Sequence, residues 1–199
     1  MKMKKIILIA AMLLTFVSSS FAFVNKPAVF GIMLTDGIEI AKGKAAPNFL
    51  DEGGYRTNLA LTFNSLVAFT PEFALHPAIG LDLRMFSYTE HHRDDFDISM
   101  AITLPIMARF YMTDIFFGEL GPIFDINLFE AFSDGREWRK EKYQKAVYIG
   151  LNAELGLTFD FGLEIGFNYT HGFTNLYKYN DKFSYNRINF NIGYWFNYR

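Results

Sequence analysis

The sequence predicts an all-β chain, an eight-stranded antiparallel up-and-down barrel that crosses a membrane with its strands. Three observations carry this. Apolar residues recur with a period of two from residue 29 to the C-terminus, the pattern of strands and not of helices. The connections between these segments alternate between short and long, as in a transmembrane barrel meander. One face of each segment is bulky and apolar, while the other carries Gly, Ala, Asn, Thr, Ser and isolated charges.

The elements follow in chain order. Residues 1–22, MKMKKIILIAAMLLTFVSSSFA, have the three parts of a secretory signal: basic Lys2, Lys4 and Lys5, apolar Ile6 to Val17, then small Ser20 and Ala22 before a cut. Twelve apolar residues are too few to span a hydrocarbon core of about 30 Å as a helix. The expected organisation is therefore a signal peptide over 1–22 and one barrel domain over 23–199. Strands are predicted at Val29–Ile40, Tyr55–Phe69, Ala78–Tyr88, Phe96–Met112, Phe116–Leu128, Val147–Phe159, Phe161–Phe173 and Ile188–Tyr198. Short turns are expected near Thr70–Ala74, Thr113–Asp114 and Phe159–Phe161. Long polar loops are expected near Ala41–Gly54, Thr89–Asp95, Ala131–Lys145 and Asn175–Ser184. Strands of this length match the roughly 9–11 residues a tilted strand needs to cross a bilayer.

Composition narrows the function classes. Cleavage of the signal leaves 16 Lys and Arg against 21 Asp and Glu, a balance of −5, which gives no support for a nucleic-acid partner. The chain has no Cys, so an exported fold without disulfides must be held by its core or by a closed hydrogen-bond network. After residue 22 no apolar run approaches the 18 residues of a transmembrane helix. Nothing in the motifs calls for a cofactor.

Lysine use decides which face points outward. Lys26, Lys42, Lys44, Lys140, Lys142, Lys145, Lys178 and Lys182 are all expected in loops or termini. A solvated barrel exterior would be expected to use Lys in its strands, so the apolar face is assigned to lipid and the small polar face to the lumen. An eight-strand interior is just wide enough for side chains to fill, and could not hold the bulky face. The last strand then closes the barrel, because an open edge does not survive in hydrocarbon.

At this point the chain resembles the small eight-stranded OmpA-type or opacity-type outer-membrane β-barrel proteins of bacteria, across essentially the whole segment after the signal. Asn191, Gly193, Phe196 and Tyr198 fill that family's C-terminal assembly pattern, although the chain runs one residue further, to Arg199. The resemblance implies outer-membrane localisation, both termini periplasmic, four loops outside, and recognition of the last strand by the barrel-assembly machinery. It implies outer-membrane lipid and lipopolysaccharide as surroundings and an extracellular ligand as a partner for the loops.

The predicted lumen charges are Arg56, Arg84, Arg109 and Arg187 against Asp82, Asp97, Glu119, Asp125, Glu154 and Glu164. Charges in a narrow barrel should pair, so they read as an ion-pair network filling the lumen. The same set would also serve as the constriction of a narrow, cation-favouring channel. Tyr55, Tyr88, Tyr148, Tyr169, Tyr185, Tyr194, Trp195, Phe196 and Tyr198 are expected as interfacial girdles. The loop SDGREWRKEKYQK offers Arg136, Arg139, Lys140, Lys142 and Lys145 to phosphate, and Trp138 and Tyr143 to a sugar. His91 and His92 lack metal-ligand spacing.

Barrel-type lipid A deacylases use an outward His with a Ser two residues on. His171 is followed there by Phe173, so the reading is non-enzymatic. Asp36 falls on the lipid face, where a bulge at Asp36–Gly37 would rotate it inward. Local bulges or water are also expected at Pro105 and Pro122.

Overall fold

A computed structural model describes residues 28–42, 55–90, 93–133, 138–140, 147–174 and 184–198. These form β1 (Val29–Lys42), β2 (Tyr55–Ala68), β3 (Phe73–Glu90), β4 (Arg93–Tyr111), β5 (Phe116–Ser133), β6 (Trp138–Lys140), β7 (Val147–Thr158), β8 (Leu163–Gly172) and β9 (Ser184–Phe196). All pairings are antiparallel between sequence neighbours, apart from β5 with β7 and the closing pair of β9 with β1. The three-residue β6 pairs antiparallel with the loop end of β5, Ala131–Ser133, and lies outside the ring. The other eight strands form a closed ring, so every strand of the ring is flanked on both sides.

The alternation is inside out relative to a soluble protein. In β7, Val147, Ile149, Leu151, Ala153, Leu155 and Leu157 are exposed, while Tyr148, Gly150, Asn152, Glu154, Gly156 and Thr158 are buried. Phe167 is 64% exposed and Leu61 58%, whereas Arg109, Asp125 and Glu164 are fully buried. Charged residues are almost never fully buried unless paired, and a continuous apolar belt is unstable in water. The solvent that suits this exterior is hydrocarbon. Strands of 10 to 19 residues are long enough to cross it.

Two turn-end residues adopt left-handed backbone. Gly162, at φ 94°, closes the β7–β8 turn, and its N–H donates to Phe159 O at 2.8 Å. Asn197, at φ 54°, ends β9. The strand expected to run to Tyr198 therefore stops at Phe196. Tyr198 instead packs against the cluster of Leu66, Ala74 and Trp195, with its hydroxyl 3.4 Å from that of Tyr111.

Several other expectations are corrected. β1 pairs one-to-one through Asp36, opposite Leu59 and Phe190, with no inserted residue; Asp36 therefore stays outward. The register is also constant through Pro105 and Pro122. The prolines leave a gap in the ladder between Pro105↔Ile123 and Ala108↔Leu120, because a missing N–H removes a bond without adding a residue. The irregularity lies instead between Met100 and Ala101, where β5 steps from Phe129 to Asn127. β3 begins at Phe73, with Pro77 inside it. β3 and β4 stay paired up to Glu90↔Arg93, which replaces the long second loop by a projecting hairpin. Lys42 ends β1 and Lys140 lies in β6, so two lysines belong to strands at the loop end. The signal segment, His91, His92 and Tyr143 lie outside the described residues.

Candidate functional site: the charged lumen

The inward face of eight alternating strands brings buried charges together at two levels. The loop-side layer comes from the loop ends of β1, β2, β3 and β9 with the middle of β5. Arg56 Nε lies 3.0 Å from Glu39 Oε2, and Arg187 Nε lies 2.7 Å from Glu39 Oε1. Arg84 Nη2 and Arg187 Nη2 each lie 2.5 Å from Asp125 Oδ2. Arg84 also reaches Asp82 at 2.7 Å. Arg56 Nη2 donates to Ser99 Oγ at 2.6 Å. Three guanidinium groups thus meet three carboxylates, and the layer is neutral. Tyr185 and Tyr148 lie over Arg56 and Arg187, with ring centroids 5.0 and 5.1 Å from the guanidinium carbons.

The turn-side layer is built around Arg109. Its Nη1 and Nη2 donate to the two oxygens of Glu164, both at 2.7 Å, in the bidentate geometry that favours Arg over Lys. Its Nε donates to Glu119. Glu119 also takes His76 Nδ1 at 2.8 Å, and His76 Nε2 lies 3.0 Å from Asn64 Oδ1. Glu164 further accepts from Thr158 Oγ1 at 2.6 Å and Trp195 Nε1 at 2.7 Å. The Phe117 ring centroid lies 3.8 Å from the Arg109 carbon. Gly156 makes room for that ring, since a Cβ there would overlap it.

A cavity of about 60 Å³, room for a few waters, lies between the layers and is lined largely by Asn and Thr. There Asn189 Nδ2 donates to Asn168 Oδ1 at 2.7 Å, and Asn168 Nδ2 donates to Asn191 Oδ1 at 3.1 Å. Glu154 borders the turn-side layer, opposite Glu119 in the β5–β7 pairing; it is hydrogen-bonded to Asn191 and forms no ion pair with a described base.

No family model matches the chain, and no curated protein matches it. Among solved structures, Neisserial surface protein A is similar at 10% identity over 86% of this chain and 100% of that one, with a TM-score of 0.55. The chain has the fold of a small outer-membrane β-barrel protein. The attachment invasion locus protein Ail of Yersinia pestis, solved with the heparin analogue sucrose octasulfate, shows 13% identity over 86% of this chain and 100% of that one, at a TM-score of 0.48. The outer membrane enzyme PagL shows 16% identity over 81% and 97%, at 0.42.

In this barrel, Arg56, Asp82, Arg84, Asp125 and Arg187 meet in one layer, and Arg109, Glu119 and Glu164 in the other. Asp97 lies in β4 opposite Phe86, and its side chain is outside the described part. Two charged-layer members escaped the sequence reading. Glu39 shares the inward parity of Gly31 and Met33 in the weakest strand, and His76 precedes Pro77 between the turn expected at Thr70–Ala74 and the strand expected at Ala78–Tyr88. Tyr148, Tyr185 and Trp195 are not girdle residues. Their parity with Asn152, Arg187 and Asn191 points them inward, where they are 1%, 6% and 2% exposed. Tyr169, Tyr194 and Phe196 do face out. Of the assembly pattern, Asn191 and Gly193 face the lumen and Phe196 the exterior, while Tyr198 lies beyond the strand. The expected negative excess is not spread through the lumen; it belongs to Glu154 and the turn-side carboxylates.

Proposed function

We propose that the barrel is a non-enzymatic outer-membrane scaffold, exported by the cleaved segment 1–22 and closed at its last strand with help from the barrel-assembly machinery. Its work is done by the loops, which meet lipopolysaccharide and an extracellular surface partner in adhesion or in supporting the envelope. The observation that carries this reading is the double charge closure of the lumen. Each guanidinium group of Arg56, Arg84, Arg109 and Arg187 is engaged by carboxylates, and aromatic rings lie over three of the four. A permeating ion would have to separate these buried pairs and leave uncompensated charges in a narrow lumen. Supporting the non-enzymatic half, His171 sits at ring-contact distance from Phe173, 5.3 Å between centroids. The next hydroxyl, Thr174 Oγ1, accepts the Ile149 N–H at 2.9 Å.

The test is planar-bilayer recording of the purified barrel, together with a binding assay on cells expressing loop deletions. The expected result is no discrete conductance, and binding that disappears with a loop while the barrel still migrates faster unboiled than boiled. A discrete conductance that shifts in Arg187→Ala would overturn the scaffold in favour of a narrow channel. A changed lipid A acylation pattern on overexpression, abolished by His171→Ala, would make the protein an enzyme.

A further inference from the structure

Among the described side chains, the outward face of the eight strands carries one carboxylate, Asp36, and one basic group, His171. Among the described residues Asp36 has no hydrogen-bond or ion-pair partner. The His171 ring lies beside those of Tyr169 and Phe173 and forms no ion pair with a described residue. An ionisable group in the lipid-facing belt is costly and ordinarily has a partner.

Their placement in the fold is specific. Asp36 lies on β1 and His171 on β8, the two strands that flank β9. Counted from the turn-side ends, Asp36 is the eighth residue of β1 and His171 the ninth of β8. Ile188, between them on β9, is also ninth, counted from Phe196. The three therefore sit at nearly one height in the membrane. Within one barrel, Asp36 and His171 are two strand spacings apart across β9 and, by the register, four residues apart along the strands, roughly 16 Å in all, with Ile188 and Phe190 in the way. They cannot reach each other there.

A two-fold axis along the membrane normal removes this obstacle. With β9 facing β9 of a second copy, β1 of each barrel lies against β8 of the other, because rotation by half a turn exchanges left and right and preserves height. Asp36 then meets His171 of the second copy, and the contact occurs twice, as an isologous interface requires. Around these pairs the surface is apolar, with Leu34, Ile38, Phe167, Ile188 and Phe190, apart from Asn186 opposite His171 on β9. We infer that the β8–β9–β1 face is the seam of a homodimer, held by two symmetric Asp36–His171 contacts across β9.

The test uses the cysteine-free background of the full chain. Ile188→Cys on β9 and Leu81→Cys on β3, across the barrel, are oxidised in outer membranes and run on gels. The expected result is a dimer for Ile188→Cys and monomer for Leu81→Cys. Asp36→Leu should lower the dimer yield on the order of tenfold, since two buried membrane hydrogen bonds are lost. The exchange Asp36→His with His171→Asp should restore it. Equal cross-linking at both cysteines, or a dimer that Asp36→Leu leaves intact, would overturn the inference. The inference rests on the lipid-facing reading of the exterior, and the same preparation tells the two failures apart. Recovery in the soluble fraction would sink that reading, whereas a monomer in the membrane that is still heat-modifiable would sink only the pairing.

Discussion

At the loop end of the lumen, three arginines share three carboxylates, so that Glu39, Asp82 and Asp125 each touch at least two guanidinium groups or one of them through two atoms. At the turn end a single arginine, Arg109, serves Glu119 and Glu164 while Phe117 and Trp195 cover its faces. The first layer is redundant and the second is centred on one side chain. Redundancy in a buried network limits the damage from losing any one member, because the orphaned charge keeps another partner. A centred network concentrates it.

The largest expected effect follows from that difference. Arg109→Met leaves buried Glu164 without a cation and Glu119 with His76 alone, and should cost roughly 3–5 kcal/mol of barrel stability. Denaturant unfolding in detergent would measure it, with loss of the unboiled gel shift as a qualitative sign. Arg56→Met should cost less, on the order of 1.5–3 kcal/mol, because Arg84 and Arg187 still reach Glu39. Equal losses for the two variants would abolish the contrast between the layers.

Trp195→Phe keeps much of the packing but removes the hydrogen bond to Glu164 and weakens the contact with Arg109. A loss of about 1–3 kcal/mol is expected in the same assay. The smallest effect belongs to Tyr148→Phe, which deletes only the hydroxyl that donates to Tyr185 O at 2.5 Å. About 0.5–1.5 kcal/mol is expected, and a larger loss would show the loop-side layer to be less redundant than its geometry implies.

Period two was enough to read most of the fold. It marked all eight ring strands, the direction of their apolar face and the inward position of nine charges whose side chains the structure describes. It even held the correct answer for Trp195, which shares parity with Asn191 and Arg187 and was assigned to the interface because aromatics are common there. Where the reading failed, the cause was local. Pro77 hid the start of β3 and with it His76, since proline argues against a strand interior. Left-handed Asn197 turned Tyr198 away from a pattern that continued in the letters but not in the backbone.

What the sequence determined by itself was thus the closed sheet and its inside-out polarity, because alternation and side-chain size are local properties that a bilayer reads strand by strand. The pairing of the lumen charges belonged to the tertiary structure alone. Arg187 and Asp125 are 62 residues apart and meet at 2.5 Å only because β9 and β5 face each other across the barrel. Closure, shear and lumen width set those distances, and they are properties of all eight strands at once.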